Sequence, residues 1–413
     1  MHIGPIIRAM KHNRTRVVLI VLEIALTLAI VTNCINVILA ERAKMQQKSG
    51  FDDDNIVWLK IRPFSPEFKD DAFIDNIIDQ DVRTIESVPG VRAAASTNFQ
   101  LWEGGGSSSQ VYPLADPKVT PAPTQIYYGT KDLIKTLGAT IIEGREFRDG
   151  DHGVGHVVDP ADKAIISKTV ADALFPDGHA VGKIIQQGEP GNPFEEPITV
   201  IGVIGEFFNP FGRPTNPSME SNRGLFLPAR VGGFNGGMRY LIRCEPGQMK
   251  PVMAEVEKRL TAQNAGRVFE FMTTPEKKAR WFSSGKIVVT TMSCIIVALV
   301  AVTALGLLGL TSLAVAERKK QIGTRRALGA TRGDILRYFL LENSLVTAVG
   351  LLLGIAGAYA LNFMLVSHVS DVKLDWQLVA GGVVLLWING IIATVPPAIR
   401  AMMVSPSIAT RSV

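Results

Sequence analysis

Along the chain, apolar and polar positions separate into four long apolar runs and one large mixed block. The runs cover residues 17–40, 286–316, 339–366 and 378–397. At about 1.5 Å per residue, each is long enough for a hydrocarbon core of roughly 30 Å. The pattern predicts an α-helical membrane protein with four transmembrane helices. Pro396 and Pro397 read as the stop of the fourth. The first run is longer than the apolar part of a signal peptide, and no convincing small-x-small cleavage site follows it. Asn33 precedes Cys34 where a lipoprotein site needs a small residue, so the run reads as an uncleaved anchor.

Two distant parts of the mixed block, 41–285, carry the same pattern. Alternation over 56–61 and again over 240–244 predicts strands. Each strand is followed by one helix face: Ile74, Ile77, Ile78 and Val82 in the first part, then Met249, Val252, Met253, Val256 and Leu260 in the second. Each helix then leads into another strand. Two such units make a split, ferredoxin-like α+β sheet. Their separation predicts an inserted, mostly β subdomain over about 124–225. Within the insert, 168–174 reads as a short helix with Ser167 as its N-cap. "WEGGGSSSQ" at 102–110 reads as a flexible loop. It lacks the Lys-Ser/Thr and following helix of a phosphate-binding loop.

Charge gives these elements a direction. The block holds 28 basic and 32 acidic residues, leaving 15 basic and 6 acidic for the remainder of the chain. A basic excess confined to short segments beside apolar runs is a topology signal and not a nucleic-acid one. Arg8, Lys11, Arg14 and Arg16 precede the first run, and seven Lys or Arg fall between Arg318 and Arg337. By the positive-inside rule both termini and the 317–338 loop are cytoplasmic, while 41–285 and the short 367–377 loop lie outside. Residues 1–16 fit either a short amphipathic helix on the inner leaflet or a disordered basic flank. The remaining 398–413 form a cytoplasmic tail.

Three cysteines, Cys34, Cys244 and Cys294, suggest neither a disulfide within the block nor a metal site. His152, His156 and His179 lie near Asp149, Asp151, Asp159 and Asp177, but among Gly and Pro they read as solvated loop residues. No catalytic, cofactor or metal residues are expected. Glu23, inside the first run, is a different matter, because an intramembrane carboxylate is costly and faces a partner or a cavity. It would hydrogen-bond across a dimer or snorkel inward.

The basic loop itself reads as two helices. Gly329 ends the first as a residue in a left-handed conformation, and Thr331 with Asp334 caps the second. The first helix would present Ile322 and Leu328 with Arg325 and Arg326. Two readings fit equally: a docking knob for a cytoplasmic partner, and a basic anchor on anionic lipid.

The stretch "ERKKQIGTRRALGATRGDILRYFLLENSLVTAVGLLLGI" resembles the signature of MacB/FtsX-type ABC transporter permeases. "IISKTVADALFPDGHAVGKII" with "ITVIGVIGEF" resembles the inserted (Sabre) part of a MacB-like periplasmic core. The flanking units, about 50–123 and 226–275, resemble its Porter part. The resemblance implies a permease subunit in the bacterial inner membrane. It implies a dimer with an identical or paralogous permease and two copies of a cytoplasmic ABC ATPase, on which ATP and Mg would be bound. Docking would fall to Gln321, Ile322, Arg325, Arg326, Leu328, Gly329 and Ala330. Mechanotransmission would then export or extract a peptide, antibiotic or lipid-like substrate, with or without a periplasmic adaptor and an outer-membrane duct. The alternative is FtsX-like signalling to an extracytoplasmic hydrolase. No GxxxxGK[ST] occurs in these residues, so hydrolysis is expected of a partner and not of this chain.

Overall fold

A computed structural model describes residues 14–99, 101–103, 106–116, 118–151, 162–193, 196–206, 208, 222–232, 237–368 and 373–405. In chain order, α1 (Arg14–Gln46) leads to β1 (Ile56–Pro63), α2 (Asp71–Glu86), β2 (Val91–Ser96), β3 (Ser107–Pro113) and β4 (Ala122–Gly129). Next come α3 (Leu133–Leu137), β5 (Ile141–Gly144), β6 (Lys163–Ser167), α4 (Lys168–Leu174), β7 (Ile184–Glu189) and the two-residue β8 (Asn192–Pro193). Then follow β9 (Ile198–Ile204), β10 (Gly224–Pro228), β11 (Met238–Cys244), α5 (Met249–Gln263), β12 (Arg267–Thr273) and α6 (Thr274–Trp281). The chain closes with α7 (Ser283–Glu317), α8 (Lys319–Ala327), α9 (Arg332–His368) and α10 (Trp376–Met402). Two compact units result, one from 47–283 and one from the residues on either side of it. The basic segment at 1–13, residues 369–372 of the 367–377 loop and the tail from 406 lie outside the described residues.

In the helical unit, α1, α7, α9 and α10 are long and apolar enough to cross a membrane. Lipid offers helices no hydrophobic drive to associate, so close van der Waals packing and hydrogen bonds must hold them together. α9 supplies the packing through Gly350, Gly354 and Gly357. A Cβ on Gly354 would lie 2.9 Å from Leu28 Cβ and 3.0 Å from the Ala25 carbonyl oxygen of α1. Polar side chains add hydrogen bonds between spans. Asn33 Nδ2 donates to the carbonyls of Ala29 (2.8 Å) and Ala358 (3.0 Å), and Asn362 Nδ2 donates to Asn33 Oδ1 at 3.2 Å. α7 is packed differently. It is mostly exposed, and its buried residues all lie from Thr303 onward.

The fourth span does not stop at its prolines. α10 runs through Pro396 and Pro397 to Met402. Each proline removes one intrahelical donor. Beyond them, however, Ala398 and Ala401 are fully buried among Val315, Ile322, Ile335 and Phe339, and that packing carries the helix on.

In the other unit, one antiparallel sheet has the order β12-β1-β11-β2. This is the split ferredoxin-like arrangement. Ile74, Ile77 and Ile78 of α2 and Val252, Val256 and Leu260 of α5 cover one face. Ile56, Trp58 and Leu241 face a second cluster with Phe99, Tyr127 and Phe226. Burial on both faces explains why Ile56–Leu59 is a continuous apolar run.

The insert is a mixed sheet of order β5-β9-β6-β10-β4-β3-β7-β8, closed into a ring by a further β9–β7 pairing. Its extent differs from the sequence reading. Ser107–Gln110 is not loop but the start of β3, paired antiparallel with β4 from Ser107↔Ile126 to Val111↔Ala122. The serines are held through their backbone, which leaves no apolar period to read. The ring therefore begins before residue 124 and ends after 225, with β10 reaching Pro228. Ser167 precedes α4 but makes no side-chain cap. Its hydroxyl instead donates to Asn222 O at 2.9 Å and accepts from Gly224 N at 3.0 Å, tying β6 to the start of β10.

The ferredoxin-like half encloses one fully buried ion pair. Arg267 Nη1 meets Asp81 Oδ2 at 2.5 Å. Tyr240 OH (2.8 Å) and Gln263 Nε2 (3.1 Å) also donate to Asp81. Cys244 is buried in its strand, and desolvation pushes its thiol pKa up to about 12. It is therefore not the water-facing thiol that its place in the polar block suggests.

Breaking a buried pair by removing one partner strands the other charge, which costs about 3–5 kcal/mol. Arg267→Met is expected to lower the denaturation midpoint of the full-length protein sharply. The double change Arg267→Met with Asp81→Leu should recover much of the loss. Chemical denaturation of both variants in detergent, followed by tryptophan fluorescence, tests this. Equal loss in both would show that the pair is not what Arg267 contributes.

Candidate docking site

The segment joining α7 to α9 is built by local chemistry. α8 ends in a reciprocal pair of backbone bonds: Ala330 N donates to Arg325 O at 3.1 Å and Gly329 N to Arg326 O at 3.2 Å. This closure needs a left-handed residue, and Gly329 sits at φ +99°. The next helix begins with a capping box. Thr331 N donates to Asp334 Oδ2 (3.0 Å), and Asp334 N donates to Thr331 Oγ1 (3.2 Å). The result is a rigid helix–turn–helix with Leu328 and Gly329 at its tip.

α8 has two faces, set by the three-to-four-residue spacing of neighbours on a helix surface. Gln321, Arg325 and Leu328 point outward, and Leu328 is 84% exposed. The Arg325 guanidinium lies over the Tyr338 ring, 4.8 Å from its centroid. Arg318, Ile322 and Arg326 turn inward. Here the structure corrects the sequence reading. Ile322 is not presented but buried with Val315, Ile335, Phe339, Ala398, Ala401 and Val404, and Ala330 packs partly against the same cluster. Arg326 is not free either. Its Nη1 donates to the backbone carbonyls of Met402, at 3.2 Å, and Val404. These are acceptors at the C-terminus of α10, where a cation is favoured.

Arg318 and Glu342 form a pair that sequence reasoning missed. Arg318 Nη1 reaches both Glu342 oxygens, at 3.0 and 2.8 Å, and the two side chains are only 13% and 12% exposed. The one signal available was Glu342 itself, a carboxylate inside the third apolar run.

Glu23 faces α7 of the same chain. Its carboxylate fills the space left by Gly306, where a Cβ would come within 2.6 Å of Oε1. One turn along, the Thr27 and Thr303 hydroxyls share a hydrogen bond of 2.9 Å.

The described members of the His/Asp grouping of the outer block do not converge. His152, His156 and Asp159 lie outside the described residues. His179 is exposed, with Nδ1 3.6 Å from Glu143. Asp151 is buried and neutralised by Arg145 (2.5 Å) and Lys163 (3.1 Å), and Arg148 N also donates to it (2.8 Å). Among the described residues, no group of three His, Cys, Asp or Glu side chains could hold a metal.

Four membrane-length helices, a large α/β domain between the first and second, and a helix–turn–helix between the second and third describe the layout of a multi-span membrane protein. The chain belongs to the MacB-like periplasmic core domain family, whose sequence model matches residues 17–259. The FtsX-like permease C-terminal model matches residues 293–406. Among its relatives is the macrolide export ATP-binding/permease protein MacB of Chromobacterium violaceum, 28% identical over 285 residues. That match covers 67% of this chain and 41% of that protein, so this chain spans about two fifths of its relative's length. The ABC transporter permease YknZ of Bacillus subtilis is 27% identical over 68% of this chain and 69% of that one. Among solved structures, the periplasmic region of MacB from Actinobacillus actinomycetemcomitans aligns with a TM-score of 0.34 at 12% identity, over 56% of this chain and 94% of that one. The extracellular domain of YknZ aligns with a TM-score of 0.33 at 19% identity, over 53% of this chain and all of that domain.

Asp151 yields a pH prediction. Hydrogen bonds from Arg145 hold its carboxyl well below the usual carboxylate range. A group depressed on folding stabilises the protein above its unfolded pKa, near 3.9, and loses that contribution as pH falls toward the folded value. Wild type should therefore lose stability between about pH 4 and pH 2 more steeply than Asp151→Asn. Thermal midpoints of both proteins across that window measure it. Parallel curves would mean that Asp151 carries no such linkage.

Proposed function

We propose that this permease works as a dimer on two cytoplasmic ABC ATPase subunits, and that the tip of α8 is the knob on which each ATPase docks. The observation that supports it is the division of the helix. One face is locked into the bundle, while Leu328 stands exposed on a turn made rigid by Gly329 and Thr331. A lipid anchor needs charge at a surface and no defined shape. A docking knob needs a fixed apolar projection with basic groups beside it.

ATP and Mg would be held by the ATPase, whose closure would move α8. Motion passed through the spans to the 47–283 domain would squeeze or extract a peptide, antibiotic or lipid-like molecule on the far side, by mechanotransmission. The partner permease is a second copy or a paralogue, and α7 has a largely exposed apolar surface to offer it. A periplasmic adaptor and an outer-membrane duct would complete an export path. The orientation follows the basic residues: both termini and residues 317–338 inside, 41–285 outside.

Burying a Leu stabilises a contact by roughly 1.5–3 kcal/mol, and a buried unpaired carboxylate costs more. Leu328→Asp is thus expected to insert and fold normally and to lose the ATPase on co-purification. Retention of the ATPase at wild-type stoichiometry would remove Leu328 from the interface and favour the lipid anchor.

Orientation is tested with a membrane-impermeant maleimide on intact spheroplasts. Ser108→Cys should label and Thr331→Cys should not. The reverse pattern would invert the topology and exclude cytoplasmic docking.

A further inference from the structure

Arg326, like Arg318, differs from the other basic residues of the loop in that its charge is spent inside the protein. Its Nη1 bridges the carbonyls of Met402 and Val404 at the end of α10. Beside it, Ile322 of α8 packs with Ala398, Ala401 and Val404, also from the end of α10 and the residues after it. Arg318, one turn before Ile322, clamps Glu342 of α9. The inward-facing side of α8 thus binds two spans, α9 through Arg318 and the end of α10 through Ile322 and Arg326. The prolines of α10 lie immediately before the stretch that Arg326 holds, at a point where the helix has lost two of its own hydrogen bonds. The carbonyls of the last turn beyond them have no intrahelical donor, as at any helix C-terminus, and Arg326 supplies one to Met402.

We propose that Arg326 is a positioning residue that makes α8 and the last turn of the fourth span move as one body. A displacement imposed on the docking tip then enters the membrane through α10 as well as through α7. This rests on the docking reading. It differs from that reading in taking Arg326 out of the ATPase contact and placing it in the transmission.

The test uses the full-length permease, reconstituted in lipid with its co-purifying ATPase. Three quantities are read: ATPase binding affinity, permease-stimulated hydrolysis, and amide exchange of the segment 398–405. Arg326→Met keeps the aliphatic stem and removes the donors, whereas Arg326→Lys keeps a cation and a donor. Arg326→Gln is a second variant should the Met form fold poorly.

For Arg326→Met or Arg326→Gln, affinity should stay within about twofold, while stimulated hydrolysis falls by at least about fivefold, the low end of measured coupling free energies. Exchange over 398–405 should accelerate. Arg326→Lys should restore both hydrolysis and protection. A loss of affinity in Arg326→Met equal to that of Leu328→Asp would make Arg326 a docking contact and overturn the proposal. Unchanged hydrolysis with faster exchange would also overturn it, because the cap would then be structural only. If wild type itself binds no ATPase, the docking reading fails, and that result is separate from any effect of Arg326.

Discussion

The helical unit depends on one close approach, that of α9 to α1. Gly350 and Gly354 leave no room for a side chain between the two backbones; a Cβ at either would sit 2.9 Å from a carbon of Ile24 or Leu28. In lipid, where apolar surface is already solvated, such contact is what holds helices together. The asparagines work within this frame. Asn33 and Asn362 bond each other and nearby carbonyls because the glycines bring α9 within reach of α1. α10 packs on the same pair: a Cβ on Gly382 would lie 2.6 Å from Thr32 of α1. α7 lacks a comparable glycine seam and meets the rest through Leu307, Val315 and a few polar contacts.

At the other end of α7 the packing changes character. Val315, Ile322, Ile335, Phe339, Ala398 and Ala401 form a cluster that joins the ends of three long helices to α8. Arg318 with Glu342 and Arg326 with the α10 carbonyls enclose it. Exposed ion pairs contribute little, but these groups are partly withdrawn from water, where a charged hydrogen bond is worth more. The tip at Leu328 and Gly329 therefore projects from a packed base, and its shape is set by the base as much as by its own turn.

The domain of residues 47–283 holds two sheets that share a core. β1 is buried on both faces, with α2 and α5 on one side and the aromatic cluster of Trp58, Phe99, Tyr127 and Phe226 on the other. α6, which follows the last strand, is fastened into that core. Trp58 Nε1 donates to Thr274 Oγ1 at 2.8 Å, and Lys277 lies over the Trp58 ring while paired with Glu103. Burial lowers the Lys277 pKa, and the Glu103 carboxylate partly offsets that effect.

Much of this was legible in the residues alone. Length and hydropathy mark the four spans, because a bilayer imposes a minimum apolar length. Period-two and period-3.6 patterns mark the split sheet, because its helices cover one face. Gly329, Thr331 and Asp334 specify the turn, since capping is local chemistry. Three features needed the tertiary structure. Ser107–Gln110 is a strand only because β4 pairs with its backbone. α10 passes its prolines only because the end of the helix is packed. Ile322 and Arg326 face inward, and Leu328 outward, because the ends of α9 and α10 lie on one side of α8. A helix carries both faces in its sequence spacing, but which face is buried is decided by what stands next to it.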